Sequence, residues 1–133
     1  MFKREAKEIF LGGTCNGSRW RDYFIPRCKM SYFNPVVQNW TEESMAEEEW
    51  HMVNDKYLLW VITPKQTGYL SPAEAVDLAH RYHSKLIFTM WEDEPDCSFT
   101  EFQRQSLNKV KDIVEKAGGR VFYKLDDVID YLR

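Results

Sequence analysis

Residues 57–81 read YLLWVITPKQTGYLSPAEAVDLAHR, and this stretch decides the fold. Its first six residues, Tyr57–Ile62, are apolar with no polar alternation, as in a strand covered on both faces. Thr63-Pro64 ends the run, and a short polar loop with Gly68 follows. Ser71 suits the N-cap of a helix, Pro72 its first position and Glu74 the third position after the cap. A buried strand, a glycine-containing loop and a helix N-terminus form the unit on which open α/β folds place ligands. A carboxylate at such a helix start is favoured in its ionised form by N–H groups and the helix dipole, and an ionised carboxylate in a crevice can act as a nucleophile. Ser71-x-x-Glu74 is equally a capping box, in which the glutamate merely folds back to the N-cap N–H. For an arbitrary S-P-x-E that structural role is the commoner one, so the rest of the chain has to decide.

Upstream, Lys7–Leu11 is a first strand ending in Gly12-Gly13, and Thr14–Ser18 a polar loop. Trp20–Cys28 is a helix limited by Pro26. Met30–Phe33, before Asn34-Pro35, is a second strand, and Val36–Trp40 a loop. Thr41 caps a helix with Glu42 and Glu43 in its first turn, running to about Val53. Asn54-Asp55 breaks it, with Asp55 as a turn residue. Downstream, a third helix runs from Pro72 to about His83, with Ala73, Ala75, Val76 and Ala79 facing inward. Lys85–Thr89 is a fourth strand, and Met90–Ser98 an acid-rich loop containing Trp91. Thr100–Lys116 is a long helix with Phe102, Leu107, Val110, Ile113 and Val114 on one side, closed by Gly118-Gly119. Arg120–Tyr123 is a fifth strand, and Asp126 caps a last helix, Asp127–Leu132.

Strict alternation of strands and helices predicts an α/β fold: a flavodoxin-like (Rossmann-type), doubly wound, five-stranded parallel sheet in the order 2-1-3-4-5, with right-handed connections. The 133 residues suit one domain. Apolar residues at 44% and aromatic ones at 15% argue against disorder, and a net charge of -3 gives no electrostatic case for a nucleic-acid polymer. No apolar run approaches the roughly 20 residues that span a bilayer, and MFKREAKEIF lacks the apolar core of a secretory signal. Cys15, Cys28 and Cys97 are odd in number without C-x-x-C spacing, which fits a reduced, cytoplasmic setting. They form no metal-like pattern with His51, His80 and His83, so neither metal nor cofactor is expected.

In this strand order the switch point lies between strands one and three. The loops Gly12–Ser18 and Thr63–Ser71 converge there, which raises Glu74 above an ordinary cap. Gly12 and Gly13 let backbone approach a ligand closely, and Thr14, Asn16 and Ser18 offer neutral hydrogen-bonding groups. The loop is neither a Walker A motif nor G-x-G-x-x-G. Glu43 and Glu47 lie one turn apart on helix two with Trp50. Glu47 could face the crevice, although a solvated charge is the commoner role. A response-regulator receiver is excluded, because Gly12-Gly13 and Thr63-Pro64 stand where its acids belong. Thr14–Ser18 is a partial match to a flavodoxin phosphate loop.

IFLGGT at Ile9–Thr14, SRWR at Ser18–Arg21, FNP at Phe33–Pro35, ND at Asn54-Asp55 and SPAE at Ser71–Glu74 come in the order seen in nucleoside 2-deoxyribosyltransferases. The chain resembles that family, and especially its shorter relatives, over about Ile9–Tyr131. The resemblance implies the same flavodoxin-like fold and a homo-oligomer. It implies that Glu74 attacks C1′ of a deoxynucleoside or nucleotide and expels the nucleobase, forming a covalent glycosyl ester. A second base, or water, then takes the sugar. It further implies an acid from helix two near base or sugar, Glu47 by spacing with Glu48 as the alternative. An amide from Gln38 or Asn39 would meet the base, Gly12, Gly13, Thr14, Gly68 and Ser71 would line the site, and Trp91 could stack on a base. Phe10 replaces the family's tyrosine, and Gly68 lies where the family has an aspartate. Two functions therefore stand side by side: an N-glycoside-processing transferase or hydrolase, and a non-catalytic module that binds or sequesters a nucleotide.

Overall fold

In a computed structural model, which describes residues 4–15 and 17–133, five strands build one sheet. They are β1 (Ile9–Gly13), β2 (Tyr32–Phe33), β3 (Tyr57–Ile62), β4 (Leu86–Met90) and β5 (Arg120–Phe122). The helices are α1 (Trp20–Phe24), α2 (Glu42–Asn54), α3 (Leu70–Arg81), α4 (Glu101–Lys116) and α5 (Leu125–Leu132). The order is β2-β1-β3-β4-β5 with every pairing parallel, the doubly wound, flavodoxin-like arrangement expected from the alternation.

The central strand explains why YLLWVI shows no polar alternation. Side chains alternate between faces along a strand, and here both faces are covered. Leu58, Trp60 and Ile62 point to a core with Phe10 and Phe88, under α2, α3 and α4. Leu59 and Val61 point to a second core with Ile9, Leu11 and Ile87, under α1 and α5. Each such side chain, fully buried, contributes about 1.5–3 kcal/mol.

Several boundaries differ from the sequence reading, each for a local reason. β1 begins at Ile9, because the Lys7 N–H turns instead to Asp55 Oδ1 at 2.8 Å. The same oxygen meets His51 Nδ1 at 2.9 Å, so the buried Asp55 ties the end of α2 to the start of β1 and is more than a turn residue. β1 also continues through Gly12-Gly13. β2 is only two residues long; it is an edge strand, and Pro35 close behind it has no N–H to donate. At Pro26 the first helix tightens into a 3₁₀ turn, Ile25–Arg27.

The third helix starts at Leu70 rather than Pro72, with Tyr69 at the N-cap and no side chain capping it. Ser71 is therefore inside the helix and does not cap. Its inner face is Ala75, Leu78 and Ala79 with Val76 beside them, whereas Ala73 is exposed. On α4 the inner stripe is Leu107, Val110 and Val114, while Phe102 and Ile113 lie well round the helix in solvent. α5 starts at Leu125 without a side-chain cap, and Asp126 instead accepts the Tyr23 hydroxyl at 2.6 Å. Thr41 does cap α2, accepting the Ser44 N–H at 3.0 Å.

Candidate active site

At the switch point a cavity of about 230 Å³ opens beside the paired residues Gly12 and Trp60. Gly12 and Gly13 form its floor for a packing reason. A Cβ on Gly12 would run into the Trp60 ring, and one on Gly13 into the Val61 backbone. Gly13 has φ of 110°, which disfavours any other residue there. Trp60 stacks on Phe10 at 5.6 Å and donates its indole N–H to the Ser71 carbonyl at 3.0 Å. That bond fastens the first turn of α3 onto β3. Ser71 and Glu74, one turn apart on α3, both line the cavity.

Facing α3, helix α2 contributes Glu48, and the loop before it contributes Pro35, Val36, Val37 and Trp40. Cys15 and Arg21 close the remaining side. Arg21 is only 8% exposed, and its guanidinium donates to the Thr14 carbonyl at 2.7 Å and to the Leu11 carbonyl at 3.0 Å. The cavity thus holds one buried cation and two carboxylates.

Glu48 and Glu74 are both half-buried, and the pKa of each is raised. Burial is the main cause for Glu48, followed by repulsion from Glu74 and Glu49, with Arg21 pulling the other way. The result is about 7, against 4.5 for an ordinary glutamate. Glu74 is raised by burial and then by Asp77. For Glu74 the helix-start argument predicts a stabilised anion, and burial outweighs it. Of two repelling carboxylates one holds the proton more firmly, and here that one is Glu48.

A network behind the cavity sets its walls. Thr14 Oγ1 donates to Gln66 Oε1 at 2.8 Å and accepts the Thr63 N–H at 3.1 Å. Thr63 Oγ1 donates to Glu94 Oε2 at 2.7 Å, and Glu94 Oε1 accepts the Arg19 N–H at 2.9 Å. Glu94 is 6% exposed and links the loops after β1, β3 and β4. The sequence shows an acid-rich loop there but not which acid turns inward.

The site residues expected from sequence therefore divide. Glu74, Ser71, Gly12 and Gly13 line the cavity. Thr14 latches two loops from behind it. Glu47 is exposed outside it, and Glu48, the next residue and so a different helix face, takes that place. Gln38 and Asn39 are exposed and do not line it, and Gly68 is also exposed, its carbonyl accepting from Gln66 Nε2 at 3.0 Å. Trp91 cannot stack on a base here: it is 4% exposed in the core on the opposite face of the sheet, beside Tyr23. Asn16 lies outside the described residues. Phe10, where the resemblance would want tyrosine, is buried between the Phe33 and Trp60 rings.

Among the described residues no three His, Cys, Asp or Glu side chains could together hold a metal ion, and no helix is long and apolar enough to cross a membrane. Compared with known proteins, the sequence matches no family model and no curated protein.

Proposed function

We propose that the protein cleaves the N-glycosidic bond of a deoxynucleoside or its nucleotide, with Glu74 as nucleophile and Glu48 as proton donor. The observation that carries this reading is the facing pair of half-buried carboxylates in one cavity, one of which titrates at about 7. A retaining glycosidase needs such a pair: one carboxylate ionised to attack, the other protonated to assist departure.

In the first step a Glu74 carboxylate oxygen bonds to C1′. The C1′–N bond breaks, its electron pair goes to the base nitrogen, and the Glu48 proton neutralises the departing base. This leaves a glycosyl ester on Glu74. In the second step Glu48, now ionised, takes a proton from water or from the N–H of an incoming base, whose oxygen or nitrogen bonds to C1′. The ester bond breaks and Glu74 returns as a carboxylate. Water gives hydrolysis, a base gives transfer. Glu48 would supply the acid that the stretch between Asp55 and Glu74 lacks. An assembly of several copies and a cytoplasmic setting, both carried by the sequence reading, belong to the same proposal.

A second reading is a module that binds a nucleotide without turning it over. Phe10 favours it, since the hydroxyl that would orient the nucleophile is missing. The deciding test is mass spectrometry of the intact protein mixed with deoxynucleosides and their 5′-monophosphates, with chromatography for freed base. We expect a 2-deoxyribosyl adduct, or base release, that is lost in Glu74→Ala. A folded protein that gives neither with any of these compounds leaves the binding module standing.

A further inference from the structure

We propose that the protein carries a second binding site, at the opposite end of the sheet from the switch-point cavity, which takes a small amphipathic anion: a monocarboxylate with an aliphatic tail. The site is a cavity of about 260 Å³ at the start of β1. Ile9 opens β1 and lines it, whereas Gly12 and Gly13 close β1 and line the other cavity. Ile9 and Gly13 are separated by roughly 13 Å along the strand. The faces differ too, since Ile9 belongs to the core under α1 and α5 and Trp60 to the other core. The proposal does not depend on the glycosidic reading.

The opening has a local origin. α1 is only five residues long, Pro26 tightens the chain into a 3₁₀ turn, and residues 28–30 then run on to β2 without helix or strand. That leaves a gap in the helix layer between Phe24 and the side chains of α5. Its walls are Ile9, Phe24, Met30, Ile129 and Leu132. Cys28 also lines it, but its thiol is turned to the Met30 carbonyl at 3.4 Å, and burial pushes the thiol pKa up, so it stays neutral. An apolar cavity of about 150 Å³ takes up benzene, so this one suits a tail of about eight to ten carbons.

Charge chooses the head group. Arg27, Lys29 and Arg133 line the same cavity and are all exposed, so their stems lie on its apolar wall and their charged ends stand at its mouth. Arg27 is held in place by the Tyr23 ring at 3.8 Å and by the Tyr23 carbonyl at 2.7 Å. Lys29 pairs with no acid among the described residues. Two acids stand close: Asp130, 3.8 Å from Arg133, and Glu8, which adds to the rise of the Cys28 pKa. Three cations over an apolar pit, on a chain of net charge -3, match an anion with an apolar body. Other occupants match less well. Phe2 is followed by Lys3 and Arg4, which carry the sign of the rim. A second copy packed two-fold on this face sets like charges against each other.

The test is equilibrium binding of straight-chain carboxylates, from butanoate to tetradecanoate, to the full chain, with the alcohol and the alkylammonium of each length alongside. We expect affinity to rise about three- to fourfold per CH₂ and to level off near about ten carbons. The matching alcohol should bind about three- to tenfold more weakly, and the ammonium more weakly still. Reversing two exposed charges, Lys29→Glu with Arg133→Glu, should weaken the carboxylates by about tenfold or more and leave the alcohols unchanged. Lack of saturable binding below about 1 mM at every length overturns the site. So does equal affinity for carboxylate and alcohol, or binding that survives the charge reversal. Tighter binding in Phe2→Ala would make the chain's own first residues the occupant. Binding only to vesicles of anionic phospholipid would put a membrane surface there, and self-association abolished by the charge reversal would put a second copy there. Each of these three also overturns the small-ligand site.

Discussion

At the start of α4, Thr100 accepts the Gln103 N–H at 3.0 Å, and Gln103 Oε1 accepts the Thr100 N–H at 2.9 Å. At the start of α3, Ser71 and Glu74 have the same spacing and an equally suitable chemistry, yet neither caps the helix. Two features separate them. Trp60 holds the Ser71 carbonyl, and the helix begins earlier at Leu70, so Ser71 already lies within the first turn. The α4 start faces solvent, where a local bond is the best use of a polar side chain. The α3 start overlooks a cavity, and Glu74 is turned into it. A capping glutamine serves stability and nothing else; a glutamate released from capping keeps its charge available, at a cost in burial that its raised pKa records.

The sharpest way to break this contrast is Glu74→Ala. Base release or adduct formation should fall by about 10³-fold or more. Thermal stability should hold or rise, since a half-buried carboxylate is removed and no cap is lost. Full turnover in Glu74→Gln would show that Glu74 does no more than Gln103.

Glu48→Gln comes next. It should lower turnover by about 10²- to 10⁴-fold, the usual worth of general acid–base catalysis. In the unmodified protein, activity should decline as pH rises through about 7, where Glu48 loses its proton, and in Glu48→Gln this alkaline limb should vanish. An alkaline limb that survives the substitution assigns it to another group.

Thr100→Ala should cost about 1 kcal/mol in urea unfolding without affecting turnover. Ser71→Ala should stay within about 0.5 kcal/mol, because its bond to Trp60 is made by backbone. A larger loss at Ser71 than at Thr100 reverses the contrast.

The smallest effect concerns pH and stability. The folded-state pKa of Glu48 is raised, so its contribution is complete below the ordinary value of 4.5 and is lost as pH rises through about 7. Between pH 5 and 8 the melting temperature should fall more in the unmodified protein than in Glu48→Gln. The difference is modest, because the group is only half-buried. Parallel curves would mean that Glu48 titrates as an ordinary surface acid.

The element order, the parallel sheet and the strand order were legible in the chain, because hydrophobic period and turn residues are local signals that tertiary packing here did not override. Tyr57–Ile62 was read to the residue, and the convergence of Gly12, Gly13, Ser71 and Glu74 followed from strand order alone. The roles within the site were not legible, and the reason is geometric. Helix α2 has no continuous apolar stripe; only His51 is fully buried on it. Nothing local therefore says whether Glu47 or Glu48 faces inward, and the docking of the helix decides. Trp91 and Glu94 follow strand β4 closely, and a turn of one residue sends a side chain to the opposite face of a sheet. By itself the sequence determined which residues form strands and helices, since those depend on neighbours along the chain. Only the tertiary structure decided which acid is buried, whether Ser71 caps its helix and which tryptophan meets the cavity, since those depend on neighbours in space.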